Sequence, residues 1–217
     1  MEDVKIMKYA ITRIKGGTDN CYIVSKGDDA ILFDTASGNN LQQVKNECSK
    51  YNMKLIVLSH PHFDHAENAE ELSKYFNIPV AYNEQDDCIF DDYQSQPLNS
   101  YGIVGLVVLK LSLKVLAETK VMRPENRFFV KEGDTLEDYG FPDIKIVELP
   151  GHSMGSIGLL VSDDALLVGD ALDNWIRPGV GHLYTDIESL KKTAEKIRSY
   201  GKRTYYYGHG KPTEKFW

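Results

Sequence analysis

Residues 59–65 read Ser59-His60-Pro61-His62-Phe63-Asp64-His65. Ahead of them, Lys54-Leu55-Ile56-Val57-Leu58 is a short branched apolar run with the character of a buried strand. Behind them, Leu72, Tyr75 and Phe76 recur at helical spacing within the segment from Ala66 to Phe76. Three histidines and an aspartate therefore occupy a strand-to-helix turn. In extended backbone His60 and His62 share a side, with alpha carbons roughly 6.5 Å apart, which suits one ion. Pro61 fixes the backbone angle between them. Asp64 and His65 fall at the helix start, point elsewhere and can reach a second ion. Asp64 and Glu67 also have capping-box spacing, so a plain helix cap beside a polar loop is the blander account. Four ligand-type residues in six positions weigh against it.

Upstream, the spacing predicts strands from Val4 to Ile14, Cys21 to Ser25 and Ala30 to Asp34, with a hairpin turn at Gly27-Asp28-Asp29. Asp34 ends its strand at a glycine-containing loop. Asn40 is placed to cap a helix from Leu41 to about Tyr51. Downstream of the metal-type turn, Ile78 to Tyr82 reads as a strand. Strands alternating with helices imply an α/β architecture.

The segment at about 84–131 breaks this rhythm. Asp86, Asp87, Asp91 and Asp92 read as a solvated acidic patch. Ile103 to Val121 is largely apolar: on a helix Val104, Val108, Leu111 and Val115 form one stripe, with Lys110, Lys114 and Glu118 on another face. That stripe suits packing onto the core, a lid or apolar pocket wall, or a dimer or membrane-surface contact.

The second half repeats the pattern. Strands are expected at Asp143 to Leu149, Ile157 to Val161, Leu166 to Val168 and Thr204 to Tyr207. A helix from Asp186 to Tyr200 has a capping box in Thr185 and Glu188. Each half is strands, then a helix, then a strand, which hints at an internal pseudo-duplication. Three strands end in Gly151-His152, Gly169-Asp170 and Gly208-His209. Ligands at strand ends converge on one sheet edge. Nitrogen and carboxylate donors without thiolate suit zinc, iron or manganese. Seven donors exceed one tetrahedral site and fit two ions about 3.5–4 Å apart with a bridging carboxylate.

The H-x-H-x-D-H turn followed by His152, Asp170 and His209 in this order resembles the metallo-β-lactamase superfamily. The resemblance covers almost the whole chain outside the 84–131 insertion. It implies a four-layer αβ/βα sandwich over 1–217 as a single domain with a helical, lid-like insertion. It also implies that His60, His62 and His152 hold one metal, that Asp64, His65 and His209 hold the other, and that Asp170 bridges them. Asp34 would support the site from behind the ligands, its plainer role being a turn-forming aspartate. Serine stands at 59 where threonine is common. Exported β-lactamases of this fold carry cysteine or serine at the position of Asp170, so antibiotic hydrolysis is not expected. The hydroxyacylglutathione hydrolases share the seven ligands and add a C-terminal helical domain; this sequence ends at Trp217.

The implied activity is hydrolysis of a small-molecule ester, thioester or lactone by a hydroxide bridging two divalent ions, zinc first among them, with Asp64 and Asp170 in catalytic roles. A mononuclear iron persulfide dioxygenase-like enzyme and a phosphodiesterase are the alternatives. Trp175, Arg177, His182 and Tyr184, just past Asp170, are candidates for a pocket wall or for ordinary loop packing. The chain carries 32 acidic and 25 basic residues, a formal net charge of −7. This argues against a nucleic-acid partner. No signal peptide or membrane-spanning run is read, and three cysteines without pair spacing suit free thiols in the cytoplasm. A homodimer through the 103–116 apolar helix is a further expectation.

Overall fold

A computed structural model describes residues 9–175 and 177–214, apart from the side chain of Val104. Three strands, β1 (Ala10–Gly16), β2 (Asp19–Lys26) and β3 (Asp29–Phe33), form an antiparallel meander. The part of the first expected strand before residue 9 lies outside the described residues. Helix α1 (Leu41–Cys48) then crosses over to β4 (Asn52–Val57), parallel to β3. Two short helices follow, α2 (Phe63–Ala66) and α3 (Ala69–Phe76), then β5 (Val80–Tyr82). Two 3₁₀ turns, Glu84–Phe90 and Tyr93–Ser95, lead to β6 (Asn99–Ser100) and helix α4 (Gly102–Glu118). Strand β7 (Arg127–Phe129) returns beside β5, so the inserted segment ends as an edge strand of the first sheet.

The second sheet contains β8 (Thr135–Leu136), β9 (Phe141–Glu148), β10 (Ile157–Val161) and β11 (Ala165–Gly169). The ribbon pairs β12 (Leu172–Asp173) with β13 (Gly179–Val180), and β14 (Leu183–Tyr184) pairs with β6 of the insertion. Helix α5 (Ile187–Ser199) crosses over to β15 (Thr204–Tyr207), parallel to β11. Meander, helix and parallel strand thus occur twice, as the hint of duplication anticipated.

Period-two burial makes the layers. Tyr22, Val24, Ile31, Phe33, Leu55 and Val57 pack inward against Phe141, Ile144, Ile146, Ile157 and Leu159 of the second sheet. Their strand neighbours Cys21, Ile23, Ala30, Leu32 and Ile56 pack outward with Val44, Cys48 and Leu72 of α1 and α3. On the far side Leu166, Val168, Tyr205 and Tyr207 pack on Leu190, Ala194 and Ile197 of α5. Helix, sheet, sheet, helix is the four-layer αβ/βα sandwich. No helix of the described residues is long and apolar enough to cross a membrane.

Several local expectations are corrected. Asn40 does not cap α1 with its side chain; it closes a 3₁₀ turn (Gly38–Asn40) and its Nδ2 donates to Ser37 Oγ. The 66–76 helix is broken between α2 and α3, where the Asn68 amide donates to the carbonyls of Thr35, Ala36 and Ser37. Glu67 makes no capping box with Asp64, because its carboxylate accepts the Gly38 N–H at 2.7 Å. Asp186, not Thr185, caps α5 by accepting from the N–H groups of Glu188 and Ser189. Asp86 is no surface acid: it is fully buried and accepts from Gly155 N–H, Gln96 Nε2 and Ser153 Oγ. Leu111 and Val115 of the expected buried stripe remain 64% and 37% exposed, because α4 is apolar all round and turns this flank toward an open cleft.

Candidate metal centre

The turn after β4 is held from behind. Asp34, at the end of β3 with φ +60°, is buried, and takes the Ser59 N–H at 2.7 Å and the Ser59 hydroxyl at 2.9 Å. A non-glycine residue at positive φ is strained. The compensation is visible here, since the same carboxylate accepts from His65 Nδ1 at 2.9 Å. Having given its proton to Asp34, the Ser59 hydroxyl accepts from His60 Nδ1 at 3.0 Å. His152 Nδ1 donates to the Leu183 carbonyl and His209 Nδ1 to the Thr18 carbonyl, each at 3.0 Å. Four imidazoles thus have their outer nitrogen engaged as a donor, which leaves the Nε2 lone pair facing inward.

These lone pairs converge. His152 Nε2 lies 3.1 Å from His60 Nε2 and 3.0 Å from His62 Nδ1. The facing Nε2 lone pairs of His60 and His152 repel unless a cation lies between them. On the other flank Asp64 and Asp170 each approach His209 Nε2 to 3.3 Å, and Asp170 Oδ1 lies 3.4 Å from His65 Nε2. His65 Nε2 and Asp170 Oδ1 are buried without a hydrogen-bond partner, a costly state for polar atoms that a cation would relieve. Three ligand groups are close-set: His60, His62 and His152; Asp64, His65 and His209; and His60, His65 and Asp170. Asp170 also reaches His152 Nε2 at 3.7 Å, so it touches both flanks. Gly208 makes the approach possible, because a Cβ there would stand 2.1 Å from Asp170 Oδ1.

The two flanks differ in charge. Burial pushes His60, His62 and His152 down, His62 to about 3, and neighbouring imidazoles add to the effect at His60 and His62. Burial opposes charge on His65 and His209 too, but the carboxylates around them, Asp170 and Asp64 with Asp34 added at His65, together outweigh it and both are raised. Against burial, His209 and His65 hold Asp170 well below the usual carboxylate range; the same two histidines hold Asp64 at about 2. The neutral nitrogens of His60, His62 and His152 and the ionised carboxylates are the forms a metal needs, whereas His65 and His209 reach that form by giving up their Nε2 protons.

Above the cluster lies a cavity of about 260 Å³. His62, Asp64, His152, Asp170 and His209 form its floor, with Leu98, Val108, Leu111, Val115 and Leu116 as an apolar wall. Trp175 and His182 line it, and Trp175 stacks on the His209 ring at 5.2 Å. Arg177 and Tyr184 do not line it. Arg177 is exposed, and the Tyr184 hydroxyl donates to the Ser100 carbonyl, tying β14 to the insertion. Leu98, Ser112 and Leu116 were not anticipated. Nor were the carbonyls of Thr18 and Leu183, which a side-chain pattern does not encode.

Residues 14–209 match the family model described as the metallo-beta-lactamase superfamily. The chain is 28% identical over 170 residues to hydroxyacylglutathione hydrolase GloC of Haemophilus influenzae, covering 76% of this chain and 72% of the relative. It is 26% identical over 206 residues to the probable metallo-hydrolase MJ0888 of Methanocaldococcus jannaschii, covering 90% and 89%. Among solved structures, TTHA1623 in a di-iron-bound form superposes with a TM-score of 0.67 at 19% identity, covering 94% of each chain. TTHA1429 of Thermus thermophilus, a metallo-beta-lactamase family protein, gives 0.69 at 18% identity over 96% of this chain and 75% of that one. With the ligand clusters at the sheet edges and the match running from β1 to His209, the chain belongs to the metallo-β-lactamase superfamily.

Proposed function

We propose that this metal-dependent hydrolase cleaves an ester, thioester or lactone of a small molecule at a centre of two divalent cations. The observation that carries the reading is the pair of three-ligand clusters reached by one carboxylate, Asp170. His60, His62 and His152 would hold one cation, and Asp64, His65 and His209 the other, with Asp170 between them. Two such cations supply Lewis acidity and lower the pKa of a shared water from 15.7 toward about 7. The residues do the rest. Asp64, ionised and on the cavity floor, orients the attacking water. The apolar wall from α4 holds an acyl group and excludes bulk solvent from that side. Trp175 fixes the His209 ring.

The donor set of imidazole and carboxylate suits zinc, iron or manganese. The similarity to the Haemophilus influenzae relative, a hydroxyacylglutathione hydrolase, supports a thioester among the substrates. The test is elemental analysis of purified protein joined to a panel of ester, thioester, lactone and phosphodiester substrates. Two metal ions per chain and turnover of a carbonyl substrate, both lost in His62→Ala and Asp170→Ala, are expected. A single iron per chain with oxygen uptake would replace this reading with persulfide oxidation. Cleavage confined to the phosphodiester would replace it with phosphoryl chemistry.

A further inference from the structure

One titratable pair in the cavity is not used by the metal centre. His182 lines the cavity, and its Nδ1 is hydrogen-bonded to the carboxylate of buried Asp173. The same Asp173 oxygen takes the His182 backbone N–H at 3.2 Å. Tyr101 of the insertion stacks on the imidazole, with centroids 5.6 Å apart and planes 10° from parallel, and its hydroxyl donates to the Val180 carbonyl at 2.7 Å. The ring is therefore fixed on its face and at one nitrogen. Nε2 has no partner among the described residues.

The backbone on either side of this ring is tied to the candidate metal centre, whose cavity His182 shares. Gly181 packs on the Asp170 loop so closely that a Cβ would stand 2.3 Å from the Asp170 carbonyl oxygen. Leu183 offers its carbonyl to His152 Nδ1. His182 is the middle residue of a three-residue segment fixed to a candidate ligand at either side, with its imidazole in the cavity wall. An aspartate bonded to Nδ1 settles the tautomer and supports the imidazolium, leaving Nε2–H to donate.

We propose that His182, oriented by Asp173, is the general acid that protonates the leaving oxygen of a carboxylic ester, an assignment that rests on the hydrolase reading above. When the bond between acyl carbon and leaving oxygen breaks, its electron pair goes to that oxygen. The Nε2 proton follows, giving a neutral alcohol. The proton released by the attacking water restores the imidazolium, so water is divided between acid and alcohol with no other reactant. A thiolate is a weak enough base to leave unaided, whereas an alkoxide is not. The pair thus points to oxygen esters or lactones within the wider substrate class. His182 is catalytic in this scheme and Asp173 is a positioning residue.

The experiment uses zinc-loaded full chain and three butanoate esters: p-nitrophenyl, phenyl and ethyl. His182→Gln should lose about tenfold or less in kcat/KM on the p-nitrophenyl ester and about 10²–10⁴-fold on the ethyl ester. Asp173→Asn should show the same rising trend. A merely structural pair, stapling β13 and β14 to β12, would give a uniform loss across the series. That result, or no loss at all, overturns the proposal. Zinc content must stay at the wild-type level in both variants, since its loss would assign the pair to holding the Leu183–His152 contact instead. A zinc-loaded wild type inactive on every substrate class removes the hydrolase reading and this proposal with it. An active wild type with a flat series in the variants removes this proposal alone.

Discussion

Asp34→Asn keeps the shape of a buried side chain and changes one atom. Asparagine has one acceptor oxygen where the carboxylate has two. If that oxygen keeps the Ser59 N–H, as Asp34 Oδ1 does at 2.7 Å, the amide nitrogen takes the place of Oδ2. That place faces His65 Nδ1 and Ser59 Oγ, each at 2.9 Å. The Ser59 oxygen can accept from the amide and still accept from His60, so the His60 tautomer survives. His65 has no such option: a donor would meet its Nδ1–H, and its proton must move to Nε2. That atom points at Asp170, Asp64 and His209. Loss of an outer-shell partner of this kind costs about 10–100-fold in metal affinity, or about 1.4–2.7 kcal/mol at 1.36 kcal/mol per tenfold. The assay is competitive zinc titration against a chromophoric chelator, resolving two sites. One zinc should retain its affinity within about threefold and the other weaken by about 10–100-fold, with turnover recovering at high zinc. Two unchanged constants, or equal weakening of both, would refute the tautomer argument.

Gly208→Ala would set a Cβ 2.1 Å from Asp170 Oδ1 and 2.7 Å from His65 Cε1, so zinc affinity should fall at least about tenfold, judged by the same titration and the outer-shell magnitude. Burial pushes the Asp86 carboxyl up to about 6 against the lowering effect of its Ser153, Gly155 and Gln96 bonds. Folding therefore favours the neutral acid: this contribution is complete below about pH 3.9 and is lost as pH rises through about 6, up to roughly 3 kcal/mol. In urea unfolding of metal-free protein, Asp86→Asn should remove that part of the slope between pH 4 and 7. On α4, Ile103, Leu106 and Val107 are 83%, 52% and 55% exposed, a face suited to a second copy of the chain. Sedimentation should show concentration-dependent dimers that Leu106→Lys with Val107→Lys abolishes while zinc content is unchanged.

How much was legible follows from where each partner sits. Ile157–Val161, buried at nearly every residue, and Thr204–Tyr207, alternately half-buried and buried, have the bounds expected of them because each pattern is carried by the strand's own side chains. Caps failed where the true partner is remote: Glu67 answers Gly38 across the fold, and no local spacing contains that bond. Asp86 looked like one acid of an exposed cluster, yet Gln96 and the Ser153–Gly155 turn close over it. In α4 the apolar residues run round the whole helix, so periodicity could not say which flank meets the cleft. The seven candidate ligands were legible because each follows a strand and all but the central four stand beside glycine. The groups that orient them were less so, since two are backbone carbonyls and Ser59 acts through a bond to Asp34.

The repeated unit explains why ligands so distant in sequence meet. Asp34 ends β3 and Asp170 follows β11; the histidine turn follows β4 and His209 follows β15. In each half the parallel pair delivers an aspartate and histidine to the same edge, and the apolar layer between the sheets brings the two edges together. Backbone bonds lock them there, Ile157 N–H to the Ser59 carbonyl at 2.9 Å and Asn20 N–H to the Gly208 carbonyl at 2.8 Å. The halves differ in one respect. Asp34 is turned behind the histidine turn and is wholly enclosed, whereas Asp170 faces the cavity between both clusters. One carboxylate sets tautomers and the other lies between the two clusters, so the two equivalent positions cannot be exchanged without losing either the orientation of His65 or the carboxylate that reaches both flanks.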